Sequence, residues 1–211
     1  MSTEVVQTEQ RKANLEAITR LGFAAYPHRF DTTHTVTMLV EANGAKPAAE
    51  LDGARVETIT AGRIVGIRSF GKASFFVLSD GRSRLQIYVR QDALSERDYQ
   101  LSKLLDVGDQ IGVAGHLFRT KTNELSIWAS KLAFLAKCFL PLPEKWHGLQ
   151  DVEIRYRQRY LDLIVNPDVR RVFEIRTRTV EAIREFLNGQ GFLEVETPMM
   201  QPMAGGALAR P

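Results

Sequence analysis

The first apolar pattern in the chain has a helical period. Leu15, Ile18 and Leu21 fall three apart, which predicts a helix over 8–22 with Gly22 as its stop. Residues 26–54 mix turn formers with short apolar pieces and read as a wrapping segment with one short helix near 36–42. From Arg55 the period changes to two. Ile64, Gly66 and Arg68 alternate with Val65 and Ile67 in a first strand that Gly71 breaks. A second strand at 74–78 and a third at 85–89 are joined by Ser79-Asp80-Gly81-Arg82-Ser83, and an Asp-Gly pair between apolar runs is a hairpin signal. Helical spacing returns over 92–105 and stops at Gly108. Two further strands, 110–118 and 124–129, flank the polar tip Arg119-Thr120-Lys121-Thr122-Asn123.

Three strands, a helix and two strands form the element order of the OB-fold, a small Greek-key barrel used on oligonucleotides. The expected fold is therefore mainly β with α: a five-stranded OB barrel preceded by a helix. After it, Pro141-Leu142-Pro143 stiffens a linker. A short helix at 155–164 is closed by Asn166-Pro167, and a long one at 169–188 repeats Val172, Ile175, Thr179, Ile183, Phe186 and Leu187 at spacings of three and four. Residues 193–197 alternate as a strand running into Pro198. The expected division is a wrapping segment (1–54), the barrel (55–140), a linker (141–168) and the opening of a further domain (169–211).

Composition changes this picture little. The chain has 28 Lys and Arg against 25 Asp and Glu, so net charge alone barely points to a nucleic acid, and placement must carry that inference. The single cysteine, Cys138, excludes an internal disulfide and suits a reducing compartment, so cytoplasm is expected. No apolar run reaches the length of a membrane span, and the amino terminus lacks a signal-peptide pattern. No Walker-type loop, His/Cys metal cluster or nucleophilic triad is present, and no metal site is expected.

Strand parity places the candidate chemistry. With Leu85, Ile87 and Val89 facing the core, Arg84, Gln86 and Tyr88 face out: a cation, an amide for a base edge and an aromatic ring. With Leu125, Ile127 and Ala129 inward, Glu124, Ser126 and Trp128 face out. Phe75 and Phe76 lie on opposite faces of the second strand, and parity does not say which one is exposed. Outward polar residues on a half-buried strand are ordinarily just solvated, so parity leaves that reading open beside base contact.

Several longer stretches resemble a known family. His147-Gly148-Leu149-Gln150-Asp151 and Arg155-Tyr156-Arg157-Gln158-Arg159-Tyr160-Leu161-Asp162-Leu163-Ile164 resemble the linker between barrel and catalytic domain of class II lysyl-tRNA synthetases. Gly191-Phe192-Leu193-Glu194-Val195-Glu196-Thr197-Pro198 resembles motif 1 of that class. The run from Pro202 to Pro211 resembles the glycine-rich loop after it, and its Gly205-Gly206-Ala207 favours the lysine enzymes over the aspartyl and asparaginyl ones.

The resemblance implies an anticodon-binding OB domain followed by the opening helix and strand of a class II α+β catalytic domain. It implies lysine tRNA as partner, with Phe75 stacking on the central anticodon uridine while Arg68 and Gln86 bond its edge. Glu124 would help discriminate an outer anticodon base, and Phe76 would belong to the core. Motif 1 implies a homodimer, with the 169–188 helix buried against a partner and Pro198 at the interface. Gly205 and Gly206 would lie near bound lysine. The family uses ATP and Mg²⁺ through motifs 2 and 3, which these residues do not contain. No catalytic residue or cofactor is therefore expected in the chain by itself, and it is expected neither to form lysyl-adenylate nor to charge tRNA. A free-standing single-strand or tRNA-binding module, or a dimerisation subunit, are the alternative readings.

Overall fold

A computed structural model of the chain describes residues 3–143 and 149–199. The chain divides into two compact units, Met1–Pro143 and Glu144–Pro211.

The first unit is built on a closed barrel of β1 (Glu57–Phe70), β2 (Ala73–Ser79), β3 (Arg84–Arg90), β4 (Gln110–Arg119) and β5 (Leu125–Ala136), in the order β1-β2-β3-β5-β4. Closure pairs β4 antiparallel with β1 and sets β5 parallel to β3, so no edge is left unpaired. This is the OB order, and helix α4 (Glu96–Leu104) connects β3 to β4 as the sequence predicts. The helix begins four residues later than its apolar spacing suggests, because the Ser95 hydroxyl caps it by accepting from the Asp98 N–H at 3.1 Å.

Phe76, Leu78, Leu85, Ile87, Val89, Ile111, Val113, Leu117 and Ile127 fill the barrel. Of the adjacent phenylalanines it is Phe76 that is fully buried, so the outward one is Phe75. Irregularities in register alter the simple alternation. One at Val65 separates Ile64 from Gly66, so Ile64 and Ile67 both point inward and Arg68 outward. The expectation that Ile64 and Arg68 share a face is corrected on that ground. A second irregularity at Ser130, between the pairs Ala114–Lys131 and Gly115–Ala129, switches β5 from odd to even inward positions. Beyond it Leu132 and Phe134 enter the core, and the strand runs seven residues past its predicted end at 129.

Three helices close the ends of this unit. Helix α1 (Thr3–Arg20) buries Ile18 and ends at Gly22, whose φ of +84° supplies the left-handed turn. Its Arg11 guanidinium donates to the carbonyls of Val107 and Cys138. Nearby, the Lys137 ammonium is fully buried and donates to Asp106 and Asp109 at 2.6 and 2.8 Å. Helix α2 (Val36–Asn43) follows the prediction, while α3 (Ala48–Ala54) carries too little periodicity to be expected. Phe30, in the segment before α2, lies over Gly112 of β4; any Cβ there would meet the ring at 2.2–2.6 Å. Asp80, in the β2–β3 hairpin, accepts from the N–H groups of Thr37, Arg82 and Ser83, which ties α2 to the barrel. Burial raises this carboxyl, but those hydrogen bonds outweigh it and hold it below its ordinary 3.8.

The second unit contains α5 (Val152–Arg157), α6 (Arg159–Val165) and α7 (Pro167–Gly189). The single helix expected over 155–164 is interrupted at Gln158, where φ −111° and ψ 56° leave the helical region. The break lets Asp162, whose side chain is fully buried, accept from Arg155, Arg159 and Asn166. Residues 193–197 form no strand: they are exposed, and no strand among the described residues pairs with them, although Glu194 accepts from Arg184 at 2.9 Å. Among the described residues no helix is long and apolar enough to cross a membrane.

Candidate nucleic-acid interface

Register places the outward side chains in rungs that run across the strands. Arg68 pairs with Phe75, Phe75 with Tyr88, Tyr88 with Trp128, and Trp128 with His116. All five alternate with core residues next to them, and the strand register of the closed barrel sets a cation, three aromatic rings and an imidazole side by side.

The rings touch. Phe75 stacks on Tyr88 with centroids 4.8 Å apart and planes 26° apart, so Tyr88 takes one face of Phe75. Trp128 meets Tyr88 edge-on at 5.1 Å and Phe118 at 5.4 Å, and His116 lies nearly parallel to it at 6.2 Å. Such pairs hold each ring in place before anything binds, which removes part of the ordering cost of a stacked base.

The next rung toward the β4–β5 hairpin carries Val77, Gln86, Ser126 and Phe118. Ser126 points to this face as expected, yet it is fully buried; it sits between Gln86 and Phe118 and donates to Gln86 Oε1 at 2.8 Å. That bond occupies one acceptor site of the Gln86 carbonyl and fixes the amide, whose N–H groups have no partner among the described residues. Glu124 is exposed at the end of the hairpin tip, just before β5. The tip is braced: Glu124 N–H donates to Thr120 Oγ1, Asn123 takes a φ of +64°, and Arg119 donates to the carbonyls of Asn123, Gly44 and Lys46.

Arg68, Phe75 and Gln86 therefore lie on one patch of three neighbouring strands, Arg68 directly beside Phe75 and Gln86 diagonal to it. Glu124 stands at the patch's far end. Arg68 makes no ion pair among the described residues, so its charge is available to a phosphate or a base edge. Pro198 is exposed after α7, and Gly205 and Gly206 lie outside the described residues. Strand parity in β3 and β5 marks Tyr88 and Trp128 from sequence, whereas His116 and Phe118 are not among the residues it marks. The same alternation carried into β4, around the inward Leu117, marks both.

Among the described residues no three His, Cys, Asp or Glu side chains are grouped to hold a metal ion.

Comparison with known proteins follows the same division. Residues 58–135 match the family described as OB-fold nucleic acid binding domain, and residues 151–211 match tRNA synthetases class II (D, K and N). A lysine–tRNA ligase of Carboxydothermus hydrogenoformans is 49% identical over 201 residues, covering 95% of this chain and 40% of the relative. One of Moorella thermoacetica is 50% identical over 201 residues, with 95% and 40% covered. One of Dehalococcoides mccartyi is 50% identical over 210 residues, with 96% and 40% covered. The chain thus spans about two fifths of the length of these relatives. Half identical to such enzymes along nearly all of its own residues, and matched in order by an OB-fold nucleic acid binding domain and a class II synthetase domain, the chain belongs to the lysine–tRNA ligase family over the part it spans.

Proposed function

We propose that the barrel binds the anticodon arm of lysine tRNA. In this reading Phe75 stacks on the central anticodon base, Arg68 and the Gln86 amide bond its edge, and Glu124 accepts from an outer base. The observation that carries it is the outward rung from Arg68 to His116, with Gln86 and Glu124 on the same face. Unpaired bases need a stacking surface and edge donors together, and anticodon bases are unpaired.

The proposed division of labour follows the sequence: a wrapping segment (1–54), the anticodon-binding barrel (55–140), a linker (141–168) and the motif 1 region (169–211). ATP- and Mg²⁺-dependent charging of tRNA with lysine is proposed for the longer protein, in the cytoplasm, with Gly205 and Gly206 near the amino acid. A homodimer through α7, with Pro198 at the interface, is supported by the exposure of Val172, Ile175, Ile183 and Phe186 on that helix.

Phe75→Ala tests the stacking role. Affinity for lysine tRNA should fall by about 1–3 kcal/mol, measured by fluorescence titration of the chain, and unchanged affinity would remove Phe75 from the proposed site.

A further inference from the structure

The β4–β5 tip leading into Glu124 has its shape fixed from within. Thr120 N–H donates to Glu124 O at 3.0 Å, Asn123 N–H to Thr120 O at 2.8 Å, and Glu124 N–H to Thr120 Oγ1 at 3.1 Å. Glu124 O also accepts from Ser126 Oγ at 3.3 Å, the hydroxyl that holds Gln86. The Glu124 backbone is thereby held on both sides, while its carboxylate is exposed and has no partner among the described residues. These bonds set the form of the tip. They do not tie it to anything beyond the sheet.

Arg119 supplies that tie. Its Nη1 donates to Asn123 O at 2.6 Å, inside the tip. Its Nε and Nη2 donate to Lys46 O at 2.7 Å and Gly44 O at 2.6 Å, in the turn between α2 and α3. That turn is itself seated. Gly44 N–H donates to Val40 O, Lys46 N–H donates to Asn43 O, and the buried Asn43 side chain donates to Leu39 O. Val36 and Leu39 bury α2 in the core, and Asp80 holds the Thr37 N–H. One planar fork thus reaches carbonyls on two sides, a geometry that a lysine ammonium does not match. All three acceptors are neutral carbonyls, and Arg119 makes no ion pair among the described residues.

We propose that Arg119 is a positioning residue for base discrimination: by tying the tip to the turn at 44–46 it holds Glu124 at the outer anticodon base. The wrapping segment then belongs to the reading apparatus, although it touches no base. Hydrogen bonds weaken steeply with distance and angle, so a tip free to swing would let the carboxylate meet different bases equally. The role rests on the anticodon-arm reading.

The test titrates the full chain with lysine tRNA and with three versions, each altered at one anticodon base. The wild type should favour the cognate over one of the two outer-base versions by about ten- to a hundredfold, the fold-change of a hydrogen bond to a charged group. Glu124→Ala should remove that preference. Arg119→Met, which keeps the apolar stem and deletes the donors, should remove it as well and leave the central-base preference at its wild-type value. Combined with Glu124→Ala it should cost no further discrimination. Arg119→Lys keeps the charge without the fork, so it should lose the preference too, and it carries the comparison if the methionine variant does not fold. Thermal unfolding reports an intact barrel in each.

An outer-base preference retained in either Arg119 variant, with Glu124→Ala losing it, overturns the positioning role and leaves the anticodon reading standing. Equal weakening on all four tRNAs, with the slope of log affinity against log salt reduced by about 0.7 in Arg119→Met, makes Arg119 a phosphate contact and overturns it also. A wild type that distinguishes only the central base overturns the positioning role alone. A wild type that binds all four tRNAs equally overturns positioning and anticodon reading together.

Discussion

The two units of this chain dispose of their apolar side chains in opposite ways. In the first, every barrel strand sends its inward residues to a shared interior, and the buried hydrophobics run from Ile18 to Phe134. In the second, no hydrophobic side chain among the described residues is buried, and the only buried one is Asp162, a carboxylate. Helix α7 is as clearly amphipathic as any element of the barrel, yet Phe186 on it is 66% exposed. Amphipathicity says which face will be covered but not what covers it. A barrel supplies its own cover by closing, and a lone helix does not.

The sharpest way to break this comparison is a matched pair of truncations. Phe76→Ala should cost about 3–5 kcal/mol of barrel stability, because it empties a closed core. Phe186→Ala at low protein concentration should stay within about 0.5 kcal/mol. Urea unfolding of both variants reads the contrast, and similar losses would mean that α7 is already covered in the free chain.

A smaller effect tests what holds the second unit. Asp162 joins Arg155, Arg159 and Asn166, and the arginines are only partly buried. Asp162→Ala should remove about 1–3 kcal/mol from the helices around it while the barrel's transition stays in place. Loss of helical circular dichroism before barrel unfolding would show it.

Association tests what covers α7. Sedimentation at rising concentration should show self-association that Phe186→Arg abolishes, whereas a strictly monomeric wild type would count against α7 as an interface between copies.

How far these features were legible in sequence depends on whether period and parity stayed intact. Strands β2 and β3 alternate without interruption, so Gln86 and Tyr88 were placed outward from sequence alone. In β1 and β5 a bulge residue reverses the parity. The alternation therefore misassigned Arg68 relative to Ile64, and the predicted end of β5 fell next to Ser130. Bulges carry no strong residue signature, and only pairing reveals them. The strand expected at 193–197 failed for another reason: alternation describes what a partner strand would accept, and none is present among the described residues. Phe75 could not be told from Phe76 by parity, and family resemblance made that choice.

The smallest predicted effect concerns acid. The Asp80 carboxyl titrates below 3.8, because hydrogen bonds from Thr37, Arg82 and Ser83 outweigh the upward push of burial. A depressed folded value means that its stabilisation is complete above about pH 4 and is lost as pH falls through the folded value. Asp80→Asn should therefore flatten the acid limb of barrel stability measured between about pH 2 and 5. An unchanged limb would assign the acid loss to other carboxylates.

The central claim is that the closed unit reads an anticodon. The direct measurement is a fluorescence titration of this chain with lysine tRNA and with the same tRNA altered only at the anticodon. Phosphate contacts are common to both, so non-specific binding is the same for each, and the difference isolates the bases. The cognate tRNA should bind more tightly by about 1–3 kcal/mol for the altered central base. Equal affinity for the two would contradict the claim.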